Sequence, residues 1–166
     1  MESLLEKLSS YNIFNYLFPG ILCAVIIDHI TEIPIIHSDL LTGMFVYYFI
    51  GLVASRIGSL AVEPFMKLIK VIEFAPYSDF ITAAKVDSKI EVLSEQNNMY
   101  RTLIAVFLLV GFTVLLEEVV ACLGLSQTTI KYCMVLLFLA LFCFSYSKQT
   151  RYLKERIDTY KKSSEG

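Results

Sequence analysis

Apolar residues gather into four runs along the chain, Tyr16 to Ile27, Leu40 to Ala54, Thr102 to Leu116 and Tyr132 to Tyr146. Each is shorter than the roughly 20 residues a helix needs to cross a 30 Å hydrocarbon layer, and on its own a run of that length equally suits a buried core helix. For the runs to cross, each helix must draw in polar neighbours, which sets membrane segments of about 13–30, 40–62, 102–122 and 130–147. The first then starts near Ile13 and takes in Asn15, the second continues through Arg56 to Val62, and the third carries Glu117 and Glu118 toward Leu125.

The polar stretches have their own signals. Within the central segment, about 63–101, Glu63-Pro64 opens a short helical piece through Glu73, and Ala75-Pro76 breaks it. Ser78-Asp79 then supplies an N-cap and a first-turn acid. No Gly or Pro follows before Gly111, so the pattern predicts one helix from Asp79 through Arg101 straight into the third apolar run. Its exposed half mixes Lys85, Asp87, Lys89, Glu91 and Glu95 with Ile81, Ala84, Ile90, Val92 and Leu93, a face suited to helix-to-helix contact. The tail, 148–166, reads as a basic helix and juxtamembrane anchor.

Composition decides which solvent the runs meet. Of the 166 residues, 56% are hydrophobic and 18% charged, and mean hydropathy is +0.63. A soluble domain of this size still exposes roughly a third of its unfolded-chain surface, so this much apolar surface implies lipid. Charge placement points the same way. With four crossings, Lys7, the central Arg56, Lys67, Lys70, Lys85, Lys89 and Arg101, and the tail's Lys148, Arg151, Lys154, Arg156, Lys161 and Lys162 all fall on one side, 13 of the 14 basic residues. The other two connections hold only Lys131, against Asp28, Glu32, Asp39, Glu117 and Glu118. Membrane insertion sorts basic residues by alternate loop in this way, and a soluble helical fold has no reason to. The sequence therefore predicts an all-α integral membrane protein, a single membrane domain of four membrane helices. It carries a cytoplasmic helical extension between the second and third and a basic C-terminal helix, with N- and C-termini both cytoplasmic. No cleavable signal is read at Met1 to Leu8, which carries Glu2 and Glu6.

Polar groups at membrane depth are costly and face a bundle interior or water, or else they mark the ends of short helices with the bilayer thinned around them. Glu117 and Glu118 are read as helix ends; for Arg56 the two readings stand level. Gly51, Ser55 and Ser59 share one face of the second helix with Gly58 beside them, and Gly20 with Ala24 repeats the spacing in the first. Small residues so placed let helix backbones approach closely. Pro19-Gly20 predicts a kink or a late start of the first helix, and Tyr16, Tyr100, Tyr132 and Tyr146 fit an interfacial belt.

Catalytic chemistry finds no anchor: the chain has no P-loop, GxGxxG, GxSxG or HExxH pattern. Cys23, Cys122, Cys133 and Cys143 lack ligand spacing and read as small apolar residues. The two histidines, His29 and His37, fall in the loop opposite the basic side, which reads as a plain polar loop. No cofactor, metal site or catalytic residue is predicted, and a net charge of -2 argues against direct nucleic-acid binding.

Three stretches carry a resemblance. Tyr11-Asn12-Ile13-Phe14-Asn15-Tyr16-Leu17-Phe18-Pro19-Gly20, the SRIGSLAVEP segment from Ser55 to Pro64, and Asn97-Asn98-Met99-Tyr100-Arg101-Thr102 resemble small membrane accessory proteins of bacterial antiviral defence loci, most of all the type VI-B CRISPR accessory membrane proteins. The resemblance implies a homo-oligomeric pore in the bacterial inner membrane. Such a pore helps an RNA-guided RNase stop phage by depolarising that membrane, so the implied partners are further copies of the chain, the bilayer, and the RNase effector or its products. A divergent HEPN ribonuclease motif is ascribed to the family, but here no Arg precedes either histidine by four to six residues, and RNase activity does not carry over. Pore or vestibule candidates are Asn15, Arg56, Glu63, Asn97, Asn98 and Arg101. Two further classes stay open: a non-conducting scaffold that recruits a soluble effector, and a membrane-bound enzyme.

Overall fold

The computed structural model describes residues 13–164, and every regular element among them is helical. Expectations about Met1 to Leu8, Lys7, the first two residues of the Tyr11 stretch and the last two of the tail lie outside the described residues. A π-helical turn, Ile13–Leu17, leads into α1, Phe18–Ile30; α2, Leu40–Ile57, passes through a second π segment, Gly58–Val62, into α3, Glu63–Leu68. α4 is Tyr77–Val86, α5 is Lys89–Leu123 and α6 is Gln127–Ser164.

Three helical stretches are long and apolar enough to cross a membrane: Leu40–Leu68, Lys89–Leu123 and Gln127–Lys161. The fourth apolar helix, Asn15–Ile30, is shorter, about 24 Å at 1.5 Å per residue. The structure thus differs from the sequence reading, which gave all four equal standing. α5 and α6 run about 50 Å or more, well beyond a 30 Å hydrocarbon layer. The C-terminal basic stretch is the continuation of α6.

Both π segments sit just ahead of a proline: Leu17 is two residues before Pro19, and Val62 two before Pro64. A proline ring in a regular helix clashes with the carbonyl one turn back and removes a hydrogen bond, and widening that turn relieves the clash. The expected interruption at Pro19-Gly20 is therefore absorbed by a π turn, with Pro19 in the first turn of α1.

Two helices stop where their sequence does not announce it. The predicted Asp79-to-Arg101 helix is broken at Asp87-Ser88. No glycine or proline causes this; the Asp87 carboxylate accepts the Lys89 N–H at 2.9 Å, a local turn that competes with helix continuation. α4 starts at Tyr77, ahead of the expected Ser78-Asp79 cap, on N–H bonds from Asp79 and Phe80 to the Pro76 carbonyl. The piece opened by Glu63-Pro64 ends at Leu68, short of Glu73, with Lys70 just beyond it in a left-handed conformation (φ 59°). α5 does carry Glu117 and Glu118, ending at Leu123 on the left-handed Gly124.

α1 and α2 pack antiparallel at very short range. A Cβ on Gly20 would fall on the Tyr47 carbonyl, and one on Gly51 would fall on the Tyr16 carbonyl, so only glycine allows the approach at either position. α5 completes a three-helix core in which Cys23 and Ile27 of α1, Ala54 of α2, and Ala105, Val106 and Val110 of α5 are buried together with Val62. Ala24 and Ser55 are buried in the same contact zone. The loop between α1 and α2 is tied down by its acids: the Asp28 carboxylate accepts the Ile35 and Ile36 N–H groups, and Asp39 caps α2 by accepting from Thr42. The hydrogen bonds from Thr42 hold the exposed Asp39 carboxyl below its usual range.

α6 stands apart. It leans on α2, where Phe138 meets Phe49 edge-on at 5.8 Å and Phe142 lies 6.2 Å from the same ring, and it does not pack along its neighbour α5. Only 6% of its apolar window is buried within the chain.

Candidate functional site

The polar groups of the bundle meet where the apolar stretches of α2, α5 and α6 end together, around Glu63. Glu63 is 7% exposed and opens α3 directly after the π segment. Its Oε2 accepts from Arg101 Nη1 of α5 at 2.6 Å, its Oε1 accepts from Lys67 Nζ one turn on at 3.2 Å, and Lys148 Nζ of α6 stands 3.6 Å away. One carboxylate thus faces three cations from three helical elements, leaving two positive charges over.

Lys148 makes a second bond, donating from Nζ to the Ser59 carbonyl at 2.5 Å. The local backbone explains why that carbonyl is free to accept. In the π segment the Glu63 N–H bonds back five residues to Gly58 O, so the next donor in the series falls at position 64, a proline without an N–H. Lys148 takes the place of the missing donor. The Glu63-Pro64 dipeptide accordingly sets both anchors for α6, the carboxylate and the vacated carbonyl.

Further groups close the cluster. Arg56, half-buried two residues before the π segment, donates from Nη2 to the Tyr16 hydroxyl at 3.3 Å, and Tyr16 packs edge-on against Tyr48 at 5.5 Å. Arg56 therefore bridges α2 to the start of α1. Gly58 lets α5 come close: a Cβ there would lie 3.1 Å from the Arg101 carbonyl. Lys67 Nζ also sits 4.4 Å over the Phe74 ring, which folds the α3–α4 loop back onto the cluster.

On the far side of Glu63 from the apolar core, an open cleft of about 900 Å³ lies between α3, the α3–α4 loop, α5 and the outer part of α6. Val62 and Met66 line it from the α2–α3 stretch, Asn97, Asn98 and Ile104 from α5, and Tyr152 and Glu155 from α6. Among the described residues no group of three or more His, Cys, Asp or Glu is placed to hold a metal.

Of the sequence candidates, the structure brings Arg56, Glu63 and Arg101 to one end of the bundle, with Asn97 and Asn98 just beyond. It pairs Glu63 with Arg101. Asn15, 2% exposed, and Glu63 are both buried within the chain, and Glu63 also borders the open cleft. Gly20, Ala24, Gly51, Ser55 and Gly58 all lie in helix contacts within the chain, and Ser59 contributes its carbonyl. Sequence reasoning missed Lys67, Lys148 and Tyr16 as cluster members. The Glu63/Lys67 spacing of four was a readable signal, whereas nothing in the sequence links Lys148 to Glu63 across 85 positions.

No protein family, no curated protein and no solved structure matches this chain.

Proposed function

We propose that this chain crosses the bacterial inner membrane four times, with both termini and the α3–α4 region on the cytoplasmic side, and assembles into a homo-oligomeric pore. Following the resemblance of its sequence, it acts as an accessory effector in CRISPR-linked antiphage defence and depolarises the membrane when its RNA-guided RNase partner is engaged. In this reading α1 is the short fourth crossing, held in register by its glycine contacts with α2.

The observation that carries the reading is the state of α6. A helix of this length with 6% of its apolar window buried, attached through two phenylalanine contacts and Lys148, leaves an apolar surface open to lipid and to further copies of the chain. Rings of identical subunits complete such faces by closed symmetry. The conducting path then runs between copies, because the polar groups of a single protomer at this depth are engaged within it.

Mass measurement of the detergent-purified protein, followed by ion flux through reconstituted vesicles, tests the proposal. A defined oligomer that passes ions is expected. A monomer in detergent and in vesicles refutes the pore, and an oligomer that passes none transfers the assignment to the scaffold class.

A further inference from the structure

Beside the Lys148 anchor, where α6 meets the end of α2, the structure leaves a small cavity of about 20 Å³. Arg56 and Ser59 line it from the α2 side, and Ser145, Lys148, Gln149 and Tyr152 line it from α6. It is distinct from the open cleft, with which it shares only Tyr152. A space of this size holds one water or one small ion.

The lining contains two cations and no acid. Arg56 gives one N–H to the neutral Tyr16 hydroxyl and makes no salt bridge among the described residues, so the rest of its guanidinium fork carries a charge with no anionic partner. Lys148 gives one N–H to the Ser59 carbonyl and stands 3.6 Å from Glu63 Oε1, beyond hydrogen-bonding distance. That carboxylate is held more closely by Arg101 at 2.6 Å and Lys67 at 3.2 Å. Two positive groups from two helices therefore border one space, and the single carboxylate behind Lys148 is already shared.

We propose that this cavity is a binding site for a halide-sized monovalent anion, chloride being the natural occupant, held between Arg56 and Lys148. Such an anion accepts charge-assisted hydrogen bonds from both cations and offsets their repulsion, which a neutral water does not do. It ties α6 to α2 at a contact otherwise made by the Phe49 ring contacts and the Lys148–Ser59 bond. The space is too small for phosphate or an organic acid, and the Gln149 amide at its wall adds a neutral donor. The inference goes beyond the pore reading and does not depend on it, because the site lies within one chain.

The test is thermal unfolding of the full chain in a non-ionic detergent, followed by circular dichroism, with sodium chloride or bromide set against sodium gluconate at equal ionic strength. Gluconate screens charge equally but does not fit the cavity. At a halide concentration about ten times its Kd, the folding equilibrium should move about tenfold toward the native state relative to gluconate. Arg56→Gln should abolish the difference between halide and gluconate, whatever its stability in gluconate alone. Gln149→Leu, at an exposed position, should raise the halide concentration required several-fold. Chloride magnetic-resonance line width provides a second measurement: wild-type protein should broaden the line, and added bromide should sharpen it again where gluconate does not. Equal stability in all three salts, a halide effect that survives Arg56→Gln, or broadening that bromide leaves unchanged overturns the proposal.

Discussion

Replacing Glu63 by glutamine keeps the side chain's shape and removes the one anion in a cluster of three cations. Arg101 and Lys148, at 21% and 14% side-chain exposure, are then left close together without a counter-charge. Removing one partner of a buried ion pair costs about 3–5 kcal/mol, because the charge left behind is neither solvated nor paired. The partial exposure of both partners puts Glu63→Gln at the lower end, about 3 kcal/mol. Lys67→Gln removes the most exposed pair and should cost under about 1 kcal/mol. Arg101→Gln leaves Glu63 with two cations and should cost about 2 kcal/mol. The double variant Glu63→Gln/Arg101→Gln removes both members of the closest pair, so its cost should fall short of the sum by about 1.5 kcal/mol or more. Loss of helical circular dichroism on SDS titration from mixed micelles measures all four values. A Glu63→Gln cost no larger than that of Lys67→Gln, or full additivity in the double variant, refutes the view that Glu63 ties the helices together.

The glycines give a contrast of sign. Gly51→Ala should destabilise by about 1–3 kcal/mol, because its Cβ would overlap the Tyr16 carbonyl, whereas Gly111→Ala, with nothing within 4 Å of its Cβ site, should stabilise by about 0.5–1 kcal/mol; the same titration checks both. Reporter fusions at Glu32, Ser88 and Tyr160 should give a periplasmic-type signal at Glu32 and cytoplasmic-type signals at the other two, and the reverse at either Glu32 or Ser88 overturns the topology. Purified protein incubated with labelled RNA should leave it intact; cleavage that disappears on His29→Ala or His37→Ala substitution would show a ribonuclease after all.

The apolar runs of α2, α5 and α6, their helical character and a length and apolarity sufficient to cross a membrane were legible in the sequence, because each depends on the local summed transfer free energy of a stretch of side chains. The close approach of α1 and α2 was legible in part: the spacing of Gly20, Ala24, Gly51 and Ser55 marked a contact face, though not which face it met. The break at Asp87 was hidden, because an aspartate turn and a helix continuation begin from the same residues and differ only in which acceptor the next N–H finds. The pairing of Glu63 with Arg101 and Lys148 was hidden more deeply. In an amphipathic helix the apolar stripe announces the buried side, but the apolar stretches of α5 and α6 are apolar on every face, so hydropathy does not say how each helix is turned or at what height it stands against its neighbours. Those two variables decide whether a charge at the end of an apolar stretch meets a partner within the chain or faces outward. Only the tertiary packing, set by glycine contacts, by π segments ahead of Pro19 and Pro64 and by the carbonyl that Pro64 leaves vacant at Ser59, brings three cations to one carboxylate.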